Sequence, residues 1–285
     1  EKFDAAVISV TSGYKEHLAL LLAKLGIHLF LDSPVPSIIP GIRLYRISRN
    51  NQLKVEFAED QSFSPEAQLQ KKLLFSGEFG SLQVVYNHCK EIDYHALARL
   101  HNLINILPEV HSVGARKLKL PGGQVCLRQE IEFDNLLYLS NYTIPKDHLL
   151  RSRKDFQLIC ENGIIGQDFV DHEIYGAIEI EKTPRTDDGS PEGLIQKLMI
   201  RLNSKKFTWE SIDSGQSWSR QHHGLQKLLT NWLLAINKNK NPLYGIKRGL
   251  YDRSILLGLS IARKTNQKIF PLILPILNKT LWKKF

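Results

Sequence analysis

The stretch that decides the fold is "FDAAVISVTSGYKEHLALLLAKLGIHLFLDSP", Phe3 to Pro34. The segment from Phe3 to Val10 is a continuous apolar, β-rich run, typical of a parallel strand buried on both faces. Leucines and alanines then recur at helical spacing as far as Gly26, a typical helix stop. A second apolar run, "IHLFL", follows directly. Strand, helix and strand in this order predict a βαβ unit with a parallel sheet and a right-handed crossover.

The βαβ unit also predicts where a ligand binds. In open parallel sheets, ligands bind beyond the carboxyl ends of the strands. Two short segments of this chain follow predicted strands, and we expect them to form the edge of a site. Their residues are Val10, Thr11, Ser12, Asp32, Ser33 and Pro34.

The rest of the chain changes character. A helix interrupted near Pro40-Gly41, a strand "QLKVEFA" and two amphipathic helices come first. From Val110 to about Ile212 the pattern is mainly short strands divided by turn residues, with one predicted helix, "PEGLIQKLMIRL". Helical spacing returns after that. We therefore predict an α/β unit, a partial Rossmann domain over residues 1–60, and an α+β domain over 61–285 with a large, mainly antiparallel open sheet.

Composition indicates a globular protein. The chain has 285 residues, of which 42% are hydrophobic, enough for one or two ordinary cores. Its three cysteines lie at no metal-ligand spacing, which predicts reduced thiols in a cytoplasmic protein. His222-His223 has no carboxylate or spaced histidine nearby, so no metal site is predicted.

Charge is unevenly distributed. Residues 220–285 carry 13 lysines and arginines against one acid, Asp252, a formal charge of +12 that leaves −3 for the rest of the chain. Such a region suits nucleic acid, an anionic membrane surface or a phosphate-bearing ligand. A solvated helical surface explains it more simply, and we expect no nucleic-acid partner. We expect the tail "KIFPLILPILNKTLWKKF" to pack on the protein, with contact to a membrane surface or dimerisation as alternatives.

The order of motifs resembles the Gfo/Idh/MocA family of NAD(P)-dependent oxidoreductases. In that family a strand ending in "E-K-P" occupies the place of "HLFLDSP", and a central active-site helix occupies that of "HALARLHNLINIL". The stretches "NNQLKVEFAEDQSFSPEAQLQKKLLFSGEFGSLQVV" and "LLTNWLLAINKNKNPLYGIKRGLYDRSILLGLSIARKTNQK" look like its next segment and its closing helices. The resemblance implies hydride transfer between NAD or NADP and a small-molecule substrate, with a homo-oligomer formed through the open sheet. It also implies that the six edge residues named above bind the cofactor.

The same resemblance exposes a missing element. The family opens with a strand, a G-x-G-x-x-G turn and a helix, in which backbone amides hold the pyrophosphate. Gly13 and Gly26 do not form that fingerprint, and the chain begins Glu1-Lys2 without a methionine. We therefore expect it to be a piece of a longer protein, or a degenerate relative.

Three positions depart from what the family implies for catalysis. Ser33 stands where the family has lysine, and Ala98 and Asn102 stand where its helix has aspartate and histidine. One branch, the biliverdin reductases, lacks that lysine, and "ALARLHNLINIL" is similar to their helix. The resemblance makes Arg99, His101 and Asn102 the candidate catalytic residues, with Arg99 able to bind a carboxylate-bearing substrate. The alternatives are that Arg99 forms a surface ion pair and that His101 is a polar surface residue.

Two other function classes stay open. The loss of the family's lysine, aspartate and histidine is compatible with a catalytically inactive protein that binds or assembles with a partner. Separately, Asp168, Glu179 and Lys182 resemble the acidic pattern of restriction-type nucleases, in which two carboxylates hold Mg²⁺. A Glu-x-Lys pattern is also common as cross-strand charge pairing on an exposed strand.

Overall fold

A parallel sheet of three strands opens the chain. The computed structural model describes residues 3–32, 37–88, 91–105, 108–119, 123, 125–144, 155–166, 178–182, 197–202, 204–210 and 220–269. The first sheet has the order β1 (Ala5–Ile8), β2 (His28–Leu31), β3 (Val55–Phe57). Both neighbouring pairs are parallel. Helix α1 (Ser12–Lys24) connects β1 to β2, which confirms the predicted βαβ unit.

Helix α2 (Ile38–Asn50) connects β2 to β3. The sequence predicted a break near Pro40-Gly41, and that prediction was wrong, because the helix runs through both residues. Pro40 lies in the first turn, where the backbone N–H groups have no partner inside the helix and proline is tolerated. Gly41 is buried on the inner side of α2.

The second sheet has six strands and forms the larger layer. Its order is β5 (Val110–Lys119), β6 (Val125–Phe133), β7 (Leu136–Ile144), β4 (Leu82–His88), β8 (Asp155–Cys160), β9 (Gly163–Ile165). Strands β4 and β7 are parallel, and the other neighbouring pairs are antiparallel. The chain therefore has a parallel sheet followed by a larger, mainly antiparallel sheet, and this arrangement confirms the predicted fold class.

A third, antiparallel sheet contains β10 (Ile178–Lys182), β11 (Lys197–Leu202) and β12 (Lys205–Glu210). The sequence predicted a helix through 191–202, and for Lys197–Leu202 that prediction was wrong. Residues of β11 pair on both sides, as in Ile200 with Ile180 and Phe207. Over so short a run, leucine, methionine and isoleucine are compatible with the periodicity of a helix and with that of a strand. Pairing with β10 and β12 therefore determines that this segment is a strand.

Four helices and one 3-10 turn complete the described fold. They are the 3-10 helix Asp60–Phe63, α3 (Pro65–Leu74), α4 (Tyr94–Ile104), α5 (Arg220–Asn237) and α6 (Ile246–Thr265). The Ser64 hydroxyl caps α3 by accepting from the N–H of Ala67, and the Asp93 carboxylate caps α4 by accepting from the N–H of Ala96. Among the described residues, no helix is both long and apolar enough to cross a lipid bilayer.

Helix α4 lies in the largest core. Its apolar face, with Leu97, Leu100 and Leu103 fully buried, packs with sheet residues such as Val85 and Ile131. Apolar residues three apart on one helix face bury together, and this face is the reason that α4 is fixed in place. The residues on its first turn are thereby held next to the first sheet.

The closing helices pack against both sheets. Trp232 of α5 donates from Nε1 to the carbonyl of Lys54 at 3.1 Å, and its ring lies 5.5 Å from that of Phe30 in β2. Helix α6 approaches β5 so closely that a Cβ on Gly258 would lie 2.9 Å from Val113. Residues of α5 therefore pack on the first sheet, although they lie far from it in the sequence. The predicted boundary between two domains at residue 60 remains a prediction.

Candidate active site

The candidate site lies at the carboxyl edge of the first sheet. Each parallel strand ends there and is followed by polar residues: Ser9 and Thr11 after β1, Asp32 after β2, and Glu59 and Asp60 after β3. Helix α1 begins at the same edge, and the first turn of α4 reaches it from the side. Five elements therefore bring polar side chains together at the position where parallel sheets bind ligands.

Asp32 is the exposed carboxylate of this edge. Its Oδ2 accepts a hydrogen bond from the Ser9 hydroxyl at 3.4 Å. Its backbone carbonyl accepts from the Nζ of Lys15 at 2.8 Å. A carboxylate in this position can accept hydrogen bonds from sugar hydroxyl groups.

Lys15 is a buried cation in the first turns of α1, only 3% exposed. Burial lowers the pKa of Lys15, and the negative charges of Asp32, Glu16 and Glu59 oppose that lowering. A cation at this depth is retained because it is hydrogen-bonded and close to carboxylates. Lys15 therefore brings a buried hydrogen-bond donor to the end of β2.

Glu16 ties the segment after β2 to α1. Its Oε1 accepts from both the backbone N–H and the hydroxyl of Ser37, at 2.6 and 2.9 Å. Ser37 immediately precedes α2, so α1 and the start of α2 are joined directly. The two ends of the connection between β2 and α2 are thus both anchored to α1.

A carboxylate–histidine pair lies at the end of β3. Glu59 is fully buried, and its Oε2 lies 2.8 Å from the Nδ1 of His95, whose side chain is 22% exposed. An ionised carboxylate accepts, so this contact favours the tautomer with the proton on Nδ1 and leaves Nε2 as the acceptor. Geometry of this kind, a half-buried imidazole oriented by a buried carboxylate, is what general acid–base catalysis uses.

Two further ionisable side chains surround that pair. Burial raises the pKa of Asp60, with Glu59 adding to the rise and His95 opposing it. Burial also raises the pKa of Tyr94, and the negative charges of Glu59, Asp93, Asp32 and Asp60 raise it further. The rings of Tyr94 and His95 lie 4.1 Å apart between centroids. The site is therefore acidic on the side of β3 and α4.

The structure places part of the predicted cofactor set at this edge. Val10, Thr11 and Asp32 are exposed there, and Ser12 begins α1. Ser33 and Pro34 lie outside the described residues. The binding roles of all six stay predictions.

Arg99 lies deeper than the sequence predicted. Its guanidinium donates to the Oε1 of Gln70 at 2.6 Å and lies 4.4 Å from the ring centroid of Phe156. Gln70 in turn donates to the carbonyls of Phe156 and Gly166. Arg99 is 9% exposed and joins α4 to α3 and β8, so it does not present an open fork to a carboxylate.

His101 and Asn102 are likewise interior residues. His101 is fully buried, and its Nδ1 lies 2.8 Å from the Oδ1 of Asp252 in α6. The other oxygen of Asp252 accepts from the Tyr244 hydroxyl. Asn102 donates to the carbonyl of Ser62 in the 3-10 helix. These contacts join α4 to its neighbours, and they correct the expectation that His101 is a surface residue.

Sequence reasoning missed Lys15, Glu59, Tyr94 and His95. One signal was present for Glu59, because "AED" follows the buried strand "KVEF" just as Asp32 follows "HLFL". Asp93 is a typical N-cap, which places Tyr94 and His95 in the first turn of a helix. No local pattern indicates that this turn lies beside Glu59.

The residues of the nuclease hypothesis are incompletely described. Asp168 lies outside the described residues, and Glu179 and Lys182 lie on β10. Within the described part of the chain, no group of three or more histidine, cysteine, aspartate or glutamate side chains is arranged to hold a metal ion. The tail beyond Ile269 also lies outside the described residues.

Comparison with known proteins identifies the fold. No family model matches the sequence, and no curated protein matches it. Solved structures do match. An oxidoreductase from Agrobacterium radiobacter, in complex with NAD⁺, L-tartaric acid and magnesium, is similar over 95% of this chain and 81% of its own, with a TM-score of 0.67 and 10% identity.

Two more structures show the same likeness. An inositol dehydrogenase homologue from Azotobacter vinelandii, complexed with NADH and myo-inositol, has a TM-score of 0.65 and 10% identity, covering 94% of this chain and 78% of its own. An aldose-aldose oxidoreductase from Caulobacter crescentus, complexed with glycerol, has a TM-score of 0.62 and 13% identity, covering 94% and 79%. These neighbours are Gfo/Idh/MocA-type oxidoreductases, and the chain has their fold.

Proposed function

We propose, from the Gfo/Idh/MocA fold of this chain, that it acts as a nicotinamide-dependent oxidoreductase on a small hydroxylated or carbonyl substrate. The observation that carries the proposal is the carboxyl edge of the first sheet. There, exposed Asp32 follows β2, and Glu59 follows the neighbouring parallel strand β3 and contacts His95 of α4. An exposed carboxylate beside an oriented imidazole suits ribose binding next to proton transfer.

The described residues fit one half of the cofactor. Asp32 can accept hydrogen bonds from the hydroxyls of a nicotinamide ribose, and Val10 and Thr11 are exposed beside it. When bound, a nicotinamide cofactor accepts or supplies a hydride. No G-x-G-x-x-G turn for the pyrophosphate is present among the described residues, and Gly13 lies inside α1.

The compounds bound to the neighbours support a proposal for the class of substrate. Their bound compounds are L-tartaric acid, myo-inositol and glycerol, which all carry several hydroxyl groups. A small polyhydroxylated compound, with or without a carboxylate, is therefore the proposed substrate. The resemblance to the biliverdin reductases implied a carboxylate-bearing substrate bound by Arg99, and the contacts of Arg99 with Gln70 and Phe156 do not favour that role. The choice between NAD and NADP stays open.

Calorimetric titration tests the proposal. NADH and NADPH are titrated into the protein, both as the chain Glu1–Phe285 and with any residues that precede Glu1 in its gene. We expect saturable binding of one of them, weakened about tenfold by Asp32→Ala, as the loss of charge-assisted hydrogen bonds predicts. Asp4→Ala is the matched control, because Asp4 is an exposed carboxylate at the opposite end of β1. Absence of binding in every form would contradict the proposal.

A second function remains, a family fold that binds or assembles without catalysis. The observation that favours it is on α4, where Ala98 is fully buried and Asn102 holds the 3-10 helix. Neither position can supply the acid–base groups that the family resemblance implies there. Cofactor binding without turnover of any polyol or hydroxy acid, in a protein with an intact fold, would support this second function.

A further inference from the structure

Glu59 and His95 form a carboxylate–imidazole pair in a place where the sequence resemblance assigns no group for proton transfer. The three positions that the family resemblance marks for proton transfer are occupied by Ser33, Ala98 and Asn102. His95 lies seven residues before Asn102 on the same helix, or about two turns nearer the carboxyl edge of the first sheet. An imidazole is therefore present at this edge, but it comes from a position on α4 other than those that the family resemblance marks.

We propose that His95 is the catalytic acid–base residue of this site and that Glu59 is its positioning residue. This inference rests on the proposed function and names the group that moves the substrate proton. His95 is partly exposed, whereas Glu59 is fully buried behind it and in contact with its Nδ1. A buried carboxylate behind a partly exposed imidazole fixes the ring and directs Nε2 away from the carboxylate.

The proton balance of the step follows from that arrangement. In the oxidising direction, the substrate O–H bond breaks as Nε2 of His95 takes the proton, and the carbon–oxygen bond becomes double. A bound nicotinamide cofactor would accept the hydrogen and the electron pair of the adjacent C–H bond. The imidazolium that forms is stabilised by the charge of Glu59, and in the reducing direction Nε2 returns the proton to the new alkoxide oxygen.

Neighbouring charges set the conditions under which the pair operates. Asp60 interacts electrostatically with His95, while Lys15 does so with Glu59. Lys15 supplies the nearby positive charge that a fully buried carboxylate needs. Tyr94, whose ring lies against that of His95, interacts electrostatically with Glu59, Asp93, Asp32 and Asp60, and Lys15 interacts with Glu59 and Asp32 of the same described group.

Imidazole ¹⁵N NMR tests the pair with a readout that does not depend on turnover. The ring nitrogens of His95 are assigned by their loss in His95→Asn. At neutral pH we expect the proton on Nδ1 in the wild-type protein and a mixture of tautomers in Glu59→Gln. On addition of cofactor and glycerate, a small hydroxy acid, we expect Nε2 to shift and Nδ1 to stay in place. A wild-type His95 with the proton on Nε2, or one whose Nε2 does not respond to the two ligands, overturns the proposal.

Kinetics supplies the second readout. His95→Asn is expected to lower kcat by 10²-fold or more with KM changed little, in the range found when a general acid–base residue is removed. His111→Asn is the matched control, because His111 forms an exposed pair with Asp134, both side chains more than half exposed, away from this edge. Cofactor binding with turnover that survives His95→Asn would overturn the assignment of His95 and leave the oxidoreductase function standing. Absence of cofactor binding would instead remove the oxidoreductase function.

Discussion

At the scale of single residues, the interior holds charged groups that the sequence pattern gave no reason to place there. Glu56 points inward from β3, fully buried, and its two oxygens accept from the backbone N–H groups of Leu243 and Tyr244 at 2.8 and 2.5 Å. The Tyr244 hydroxyl donates to one carboxylate oxygen of Asp252, and the other oxygen lies 2.8 Å from the Nδ1 of His101. A line of buried polar contacts therefore joins β3, α6 and α4.

Glu56 makes stability depend on pH. Burial raises its pKa to about 8 from a usual value of 4.5, against the lowering effect of the N–H groups of Tyr244 and Leu243. The folded state therefore binds a proton that the unfolded state has lost between these two values. The stabilisation by this proton is complete below pH 4.5 and disappears as the pH rises to about 8.

We expect the free energy of unfolding to fall with rising pH across that window, by at most about 1.4 kcal/mol per pH unit for one proton. Glu56→Gln, which cannot ionise, should flatten the slope. Urea unfolding at a series of pH values between 5 and 8 measures it. Equal slopes in the two proteins would show that Glu56 titrates normally in the folded state.

At the scale of elements, the candidate site depends on how closely α5 crosses the 3-10 helix. Gly224 of α5 lies directly against the backbone of Asp60, and a Cβ at residue 224 would come within 2.0 Å of the Asp60 carbonyl oxygen. That oxygen belongs to the backbone and cannot rotate away as a side chain could. Glycine is therefore required at this crossing, and the crossing holds the segment that carries Glu59 and Asp60.

Gly224→Ala should therefore force α5 and the 3-10 helix apart, with a loss of about 1 to 3 kcal/mol in the free energy of unfolding. Turnover should fall as well, because Glu59 precedes the displaced residue. Gly13→Ala is the comparison, since a Cβ there meets nothing within 4 Å and alanine favours a helix, so stability should rise by about 0.5 to 1 kcal/mol. Thermal and urea unfolding measure both variants, and an unchanged stability of Gly224→Ala would contradict this account of the crossing.

The elements also show what sequence patterns could and could not predict. Long periodic segments such as α1, α4 and α6 were predicted well, because an apolar face of several turns has one interpretation. Residues 197–202 were predicted as a helix, and only pairing with β10 and β12 shows that they form a strand. The exposed half of the site, Thr11 and Asp32, followed from strand ends. The contact of Glu59 with His95 joins residues 36 apart and has no local signature.

At the scale of the whole molecule, the closing helices make the fold one connected structure. Helix α5 contacts β2 through Trp232 and Phe30, while α6 contacts β5 through Gly258 and Val113. Residues from the basic last part of the chain thus form part of the core of the first sheet. Association of copies through the six-stranded sheet stays a prediction, as does any contact between the tail and a membrane surface.

The outer position of β1 has a consequence for how the protein behaves in a test tube. Among the described residues β1 pairs with β2 alone, and Val7 on it is 65% exposed, close in sequence to Phe3 at 68% and Tyr14 at 77%. A strand with one open edge and apolar side chains is a template on which further chains can add, so concentrated solutions of the chain Glu1–Phe285 by itself should form soluble aggregates that grow with time. Val7→Lys places a charge on that strand and should suppress the growth of aggregates measured by light scattering. Val84→Lys is the control, because its strand β4 is paired on both sides, and it should not suppress the growth. Equal aggregation of Val7→Lys and the unaltered protein would show that another surface is responsible.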